Sequence, residues 1–166
     1  MIPVSPDSSA NLPQSPAVPE SERPSGGAVS VGIVLVSHSR ALAETAVDLA
    51  RRLIVAVDVP VELAAGLADG GLGTDPGAVV EAVEHLAERC EGVLVLADLG
   101  SGIMSAEMAL EMLDPALAER TRLSAAPFIE GLLGAYGAAG IGKDLQAVAV
   151  EADGAAEAKR SQVTAF

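Results

Sequence analysis

Val31-Gly-Ile-Val-Leu-Val-Ser-His-Ser-Arg40 is the stretch that decides the fold. From Val31 to Val36 the run is aliphatic and largely β-branched, with no polar side chain to mark a wet face. Such a run suits a strand covered on both sides, as in a parallel sheet. Ser37, His38 and Ser39 end it, and Arg40 to Ile54 then reads as a helix. His38 is thereby placed where a buried strand gives way to a helix N-terminus. In open parallel sheets that edge is where ligands and chemistry are found.

The pattern repeats on either side. In the first helix, Leu42, Ala46, Leu49, Ala50 and Leu53 recur at spacings of three and four and predict one apolar stripe facing the core. A second strand is expected over Val59 to Ala65. Pro60 cannot donate to a ladder, so this strand starts late and lies at a sheet edge. The loop Gly66-Leu-Ala-Asp-Gly-Gly-Leu-Gly-Thr74 follows, then Asp75 as helix N-cap with Pro76 at the first helical position. That helix buries Val79, Val83, Leu86 and Ala87. Gly92 precedes a third strand, Val93 to Ala97, and Asp98-Leu-Gly-Ser-Gly102 forms the turn into a helix over Ser105 to Leu113. Met104, Met108 and Met112 repeat every four residues along it and are assigned to the core. Arg122 to Ala126 is expected as a short fourth strand, Phe128 to Ala139 as a helix begun by Pro127, and Lys143 to Ala152 as the last helix.

Alternating strands and helices mean right-handed crossovers. The expected fold is therefore α/β, a three-layer sandwich with a central, mainly parallel four-stranded sheet and helices on both faces. With the second strand at an edge, its order is 2-1-3-4. Strands 1 and 3 then meet at a topological switch point, with His38 at the end of one and Asp98 at the end of the other. Residues 1–28 hold six of the ten prolines and little apolar periodicity, and are expected as a disordered tail. The folded domain is assigned to residues 29–153, and residues 154–166 are expected to be frayed.

Composition narrows the function classes. A formal charge of −13, from 23 acidic against 10 basic side chains, repels nucleic acid and anionic membrane surfaces and favours basic protein partners. Docking to such partners is expected to weaken as salt rises. Cys90 is the single cysteine, which leaves neither a disulfide framework nor a thiolate metal cluster, and it reads as a small core hydrophobe. No apolar run approaches the roughly 20 residues of a membrane span, and no secretory signal is legible, so a cytoplasmic location is expected. His85, among Glu81, Glu84 and Glu88, reads as a solvated surface residue.

A histidine beside a carboxylate has a fixed tautomer: one ring nitrogen donates to the acid and the other keeps its lone pair. Neutral imidazole is a nucleophile near pH 7, and the acid stabilises the cation that forms when its free nitrogen is modified. Around His38 and Asp98 cluster Ser37, Ser39, Gly71, Gly73, Thr74, Gly100, Ser101 and Gly102. Small and hydroxylated residues at helix starts suit an oxyanion held by backbone N–H groups. The set suits a phosphoryl group carried on histidine. Blander assignments remain open: His38 as a polar turn residue, Asp98 as a helix cap, the glycine loop as a connector. The loop is neither GxGxxG nor a P-loop, and Gly100-Ser101-Gly102 lacks the frame of a nucleophile elbow.

Six segments in order, Ile33 to Ser39, Ala64 to Gly66, Gly73 to Asp75, Val93 to Ser101, Ser105 to Glu107 and Ala126 to Gly131, resemble the mannose-type EIIA domains of the bacterial sugar phosphotransferase system. Within that family the resemblance is to DhaM, the phosphotransferase subunits of phosphoenolpyruvate-dependent dihydroxyacetone kinases. It covers about Val29 to Asp153. It implies that His38 is a phosphoacceptor charged by phospho-HPr and that Asp98 hydrogen-bonds its ring. Gly100 and Ser101 would line the phosphate, with Ser39 and Thr74 as further candidates. It also implies transfer to ADP held, with Mg, on a DhaL subunit, whose ATP then phosphorylates dihydroxyacetone on DhaK. No cofactor or metal is expected on this chain itself, and a homodimer is implied. Some relatives carry fused HPr-like and Enzyme I-like domains, so separate proteins are expected to charge this one. Two other expectations stand beside it, a mannose-family EIIA component of a sugar permease and a regulatory module switched by phosphohistidine, while a nucleotide-binding flavodoxin-like protein would bind nucleotide or flavin, and no such affinity is expected.

Overall fold

The computed structural model describes residues 29–164, and the expected tail at 1–28 lies outside the described residues. Four strands, β1 (Val29–Ser37), β2 (Val61–Ala65), β3 (Cys90–Ala97) and β4 (Thr121–Ser124), form one parallel sheet in the order β2-β1-β3-β4. Helices α1 (Arg40–Leu53), α2 (Pro76–Ala87), α3 (Gly100–Met112), α4 (Pro115–Ala118), α5 (Phe128–Gly140), α6 (Leu145–Asp153) and α7 (Ala155–Thr164) fill the connections and the C-terminal side. This is the expected three-layer α/β sandwich. Strand β2 starts only after Pro60 and forms an edge, while Pro60 still contributes its carbonyl to the N–H of Ile33. The fourth strand lies one residue earlier than expected and stops at Ser124.

Two cores flank the sheet. On one face, Ile33, Leu35, Leu94 and Leu96 are buried beneath α1, α5 and α6. On the other, Val34, Val36, Val93 and Val95 are buried beneath α2 and α3. Alternate residues of β1 and β3 thus feed opposite cores, which is why both strands read as unbroken apolar runs. The parallel register pairs Val36 with Ala97, so β1 and β3 end in step, and α1 and α3 depart to opposite faces.

Three expectations about the helices are corrected. First, α1 buries Ala43, Ala46, Val47 and Ala50, while Leu42, Leu49 and Leu53 are exposed. Alanines on the sheet side let the helix approach closely, and the leucines fall at the rim. Second, the methionines of α3 are not core: Met104, Met108 and Met112 are 62%, 54% and 61% exposed. A competing stripe of small residues, Gly102, Ser105, Ala106 and Ala109, makes the closer contact and turns the methionines outward. Third, the described part of the segment expected to be frayed is helical: Ala155–Thr164 lies along α5, with Lys159 paired to Glu130. Its Ala, Glu and Lys content favours helix even though none of its residues is buried.

Tyr136 on α5 is fully buried, and among the described residues nothing accepts or donates at its hydroxyl. An unmet buried hydroxyl costs about 1–3 kcal/mol, whereas removing it leaves the ring's apolar burial intact. Tyr136→Phe is expected to raise stability by about 1 kcal/mol, measured as a higher urea midpoint with an unchanged slope. A lower midpoint would show that the hydroxyl has a partner. Cys90 is buried at the start of β3, where desolvation pushes its thiol above the usual value against the opposing pull of Arg89 and Arg120. It is a core residue, as expected. Among the described residues no helix is long and apolar enough to cross a membrane, and no group of three or more His, Cys, Asp or Glu could hold a metal ion.

Candidate functional site

Because β1 and β3 end in step, the first residues beyond them leave the sheet side by side. His38 and Asp98 meet there: His38 Nδ1 lies 2.9 Å from Asp98 Oδ1. The carboxylate also accepts from the His38 backbone N–H at 2.9 Å, from the Ser37 hydroxyl at 3.0 Å and from the Leu99 N–H at 2.7 Å. Burial alone would push the Asp98 carboxyl up, but the hydrogen bonds from the His38 backbone and ring, from Ser37 and from Leu99 together outweigh it. They hold Asp98 below its ordinary carboxylate range. With the acid ionised, the ring proton sits on Nδ1 and is donated to Oδ1. The lone pair then belongs to Nε2, to which the Ser101 hydroxyl donates at 2.6 Å. The His38 side chain is 25% exposed and that of Asp98 6%, so the ring faces outward from a carboxylate that does not.

The helix-cap assignment for Asp98 fails, since Leu99 is the N-cap of α3 and no side chain caps that helix. Its first-turn N–H groups have no intrahelical partners and start beside the His38 ring, a placement suited to an oxyanion. By contrast α1 is capped by Ser39, whose hydroxyl accepts from the Leu42 N–H at 3.3 Å. The structure therefore brings His38, Asp98, Gly100 and Ser101 together, and leaves Ser39 engaged in its cap. Thr74 is hydrogen-bonded not to the ring but to Ser105, at 2.8 Å, one turn into α3. The glycine loop closes over the end of β1 through Gly73 N–H to the His38 carbonyl and Gly66 N–H to the Ser37 carbonyl. Gly66 does this with φ +70, where a side chain would be strained. His85 is exposed, as expected, with Nδ1 3.1 Å from Glu62 Oε1.

Two residues placed around the pair by the sequence act through Asp98. Ser37 is fully buried and joins three partners: its hydroxyl donates toward Asp98 Oδ2 and the Ser39 carbonyl and accepts from the Ser39 N–H. The available signal was a hydroxyl closing an otherwise apolar buried strand, because buried hydroxyls require partners. Gly102 is the second. A Cβ there would stand 3.0 Å from Asp98 Oδ1, the oxygen that holds the ring. Gly102→Ala is expected to displace that carboxylate by a few tenths of an ångström and slow modification of His38 several-fold. It should cost less than about 1 kcal/mol of stability, because alanine is the better helix former. Labelling rate and melting curve measured on one sample separate the two effects, and an unchanged rate would show that the carboxylate tolerates the methyl.

The family model EIIA-man, described as PTS system fructose IIA component, matches residues 32–149. Over 135 residues the chain is 43% identical to the PEP-dependent dihydroxyacetone kinase, phosphoryl donor subunit DhaM, of Klebsiella michiganensis and to that of Escherichia coli K12. Each match covers 80% of this chain and 28% of the relative, so the chain spans little more than a quarter of the length of those two proteins. PEP-dependent dihydroxyacetone kinase 2, phosphoryl donor subunit DhaM, of Listeria innocua is 36% identical over 101 residues, 61% of this chain and 79% of the relative. The crystal structure of the unknown function protein EF1359 superposes with a TM-score of 0.68 at 29% identity, over 75% of this chain and 93% of that one. Both strand ends that carry His38 and Asp98 lie within the matched residues, and the chain belongs to the EIIA-man family, the PTS system fructose IIA component.

Proposed function

We propose that this chain is a phosphocarrier, the phosphoryl donor subunit of a phosphoenolpyruvate-dependent dihydroxyacetone kinase. His38 takes a phosphoryl group from phospho-HPr and passes it to ADP held on a DhaL subunit, and the ATP formed there serves dihydroxyacetone on DhaK. The observation that carries the reading is the Asp98 contact to His38 Nδ1, which leaves Nε2 as the nucleophile. The likeness to the DhaM relatives supports the choice of a kinase over a sugar permease.

In the charging step the Nε2 lone pair attacks phosphorus, a new N–P bond forms, and the donor's N–P bond breaks with its electron pair returning to the donor imidazole. His38 keeps its Nδ1 proton, and the positive charge gained by the ring is balanced by the ionised Asp98. Ser101, whose hydroxyl occupies the approach to Nε2, turns aside and donates to a phosphoryl oxygen. The free N–H groups at the start of α3 receive the others. In the second step a terminal phosphate oxygen of ADP attacks, and His38 leaves as the same neutral tautomer. ADP and Mg²⁺ belong to the DhaL partner in this reading, the chain works as a cytoplasmic homodimer, and no resident cofactor is required of it.

Incubation with phosphoenolpyruvate, Enzyme I and HPr is the test, followed by DhaL–ADP, DhaK and dihydroxyacetone. The expected result is acid-labile phosphate on His38 Nε2 and formation of dihydroxyacetone phosphate, both slowing as salt rises. Label that reaches His38 but no DhaL would leave the permease or regulatory alternative. Label on another residue would overturn the reading.

A further inference from the structure

We infer that Ser105, acting through Thr74, is a positioning residue for the transfer: the two hydroxyls clamp the glycine loop that holds the main chain of His38. The inference rests on the phosphocarrier reading and adds to it what keeps the nucleophile in place during the reaction. The loop 66–74 is a strap across the end of β1. It is tied there by Gly66 N–H to the Ser37 carbonyl at 3.0 Å and by Gly73 N–H to the His38 carbonyl at 2.9 Å. It also folds on itself, with Leu67 N–H donating to the Gly71 carbonyl and Gly70 N–H to that of Leu67, both at 2.9 Å. The Leu67 side chain closes on Gly73 so tightly that a Cβ there would stand 2.8 Å from Leu67 Cγ. A strap packed this way moves as one piece. Among the described residues its single hydrogen bond to α3 is the one between Thr74 Oγ1 and Ser105 Oγ, at 2.8 Å.

That bond reaches His38 from the same helix as the bond to its ring. Ser101 and Ser105 stand four residues apart on α3 and so share one face of it. The first meets His38 Nε2 at 2.6 Å, and the second meets the residue next to Gly73, whose N–H holds the His38 carbonyl. Ring and main chain are thereby both referred to α3. The reaction treats the two contacts differently. Attack through Nε2 displaces the Ser101 hydroxyl, so that contact to the ring is lost at the moment of transfer. The Ser105–Thr74 bond does not involve the ring and persists, leaving Asp98 and the strap to keep the imidazole beside the start of α3. Burial supports the role: Ser105 is 8% exposed and Thr74 half-buried, and a hydroxyl withdrawn from water is kept where it has a partner. Neither hydroxyl titrates in the working range, so the pair sets geometry and not protonation.

The test compares the full chain with Thr74→Val, Ser105→Ala, the double variant and Thr74→Ser, which keeps the hydroxyl. Labelling of His38 is followed with phospho-HPr and, separately, with phosphoramidate, a small donor that needs no protein surface, well below each variant's melting transition. The expected result is a kcat about five- to tenfold lower in both single variants, with KM within about twofold and the same proportional loss with either donor. The pH profile should keep its shape. The double variant should be no slower than the slower single one, since either change already breaks the one bond. Thr74→Ser should bring the rate back to within about twofold of wild type. Wild-type kcat in both single variants overturns the inference, because a tie that only joined the start of α2 to α3 would lower the melting temperature and leave kcat alone. A loss confined to one of the two overturns it as well; confined to Thr74→Val, it would make that hydroxyl a direct ligand of the phosphoryl group. Additive losses in the double variant, a loss confined to KM, or a Thr74→Ser rate no better than that of Thr74→Val overturn it equally. A wild-type chain labelled by phosphoramidate but never by phospho-HPr overturns the carrier reading itself, and the inference with it.

Discussion

His38→Ala is expected to abolish phosphoryl uptake, with labelling by phospho-HPr falling to background while the chain stays folded. The reason is that among the described residues no other side chain shares the geometry of this one. His85, the only other histidine, is set against Glu62 away from the strand ends and does not substitute for it. The fold should survive because the His38 side chain stands at the end of β1 and is part of neither core. Its removal leaves Asp98 still accepting from the His38 position's backbone N–H, from Ser37 and from Leu99. A stability loss of about 1–2 kcal/mol is the expected scale for one hydrogen bond to a charged group. Label retained in the variant would refute the assignment of the nucleophile.

Asp98 should separate orientation from nucleophilicity. Asp98→Ala removes the acceptor at Nδ1 and frees the ring to take either tautomer, so transfer is expected to slow by about 10- to 100-fold without vanishing. Asp98→Asn should be worse, although it is the closer isostere. An amide NH₂ turned toward Nδ1 would place the ring proton on Nε2 and so consume the lone pair that attacks. In Ser-His-Asp hydrolases the corresponding change costs about 10⁴. An asparagine variant faster than the alanine one would show that tautomer control is not the role of Asp98. The same residue carries a pH signature. Its carboxyl is held below the ordinary range in the folded state, so its contribution to stability is fully present above that range. It is lost as pH falls through the lowered value. Wild type should therefore lose more stability than Asp98→Asn on acidification through the carboxylate range, and parallel losses would contradict the hydrogen-bonded arrangement.

Much of this was legible before any coordinates. The unbroken aliphatic runs in β1 and β3, the Pro60 that delays β2, and the Asp75-Pro76 start of α2 are local properties. Each has a local cause: a strand between two helix layers has no polar face to show, and proline lacks the donor that a ladder requires. The switch point followed from the strand order, and with it the nearness of His38 to Asp98. The helices were less legible, because an apolar spacing of three or four names several faces at once. In α1 the alanine face and the leucine face overlap at Ala46 and Ala50. In α3 the methionines and the small residues both repeat helically. Closeness of approach to the sheet chooses between such faces, and only the packed structure measures it.

The sequence by itself determined the fold class, the edge strand, the family, and the histidine on which the proposed chemistry rests, since these depend on periodicity and on residue types at strand ends. Tertiary structure decided the rest. It gave the ring nitrogen that keeps its lone pair, the buried Ser37 hydroxyl behind Asp98, the glycine that leaves room for the carboxylate, and the methionine face turned to solvent. These depend on contacts near 3 Å, those of Ser37 and His38 with Asp98 spanning about sixty positions, which no pattern along the chain encodes.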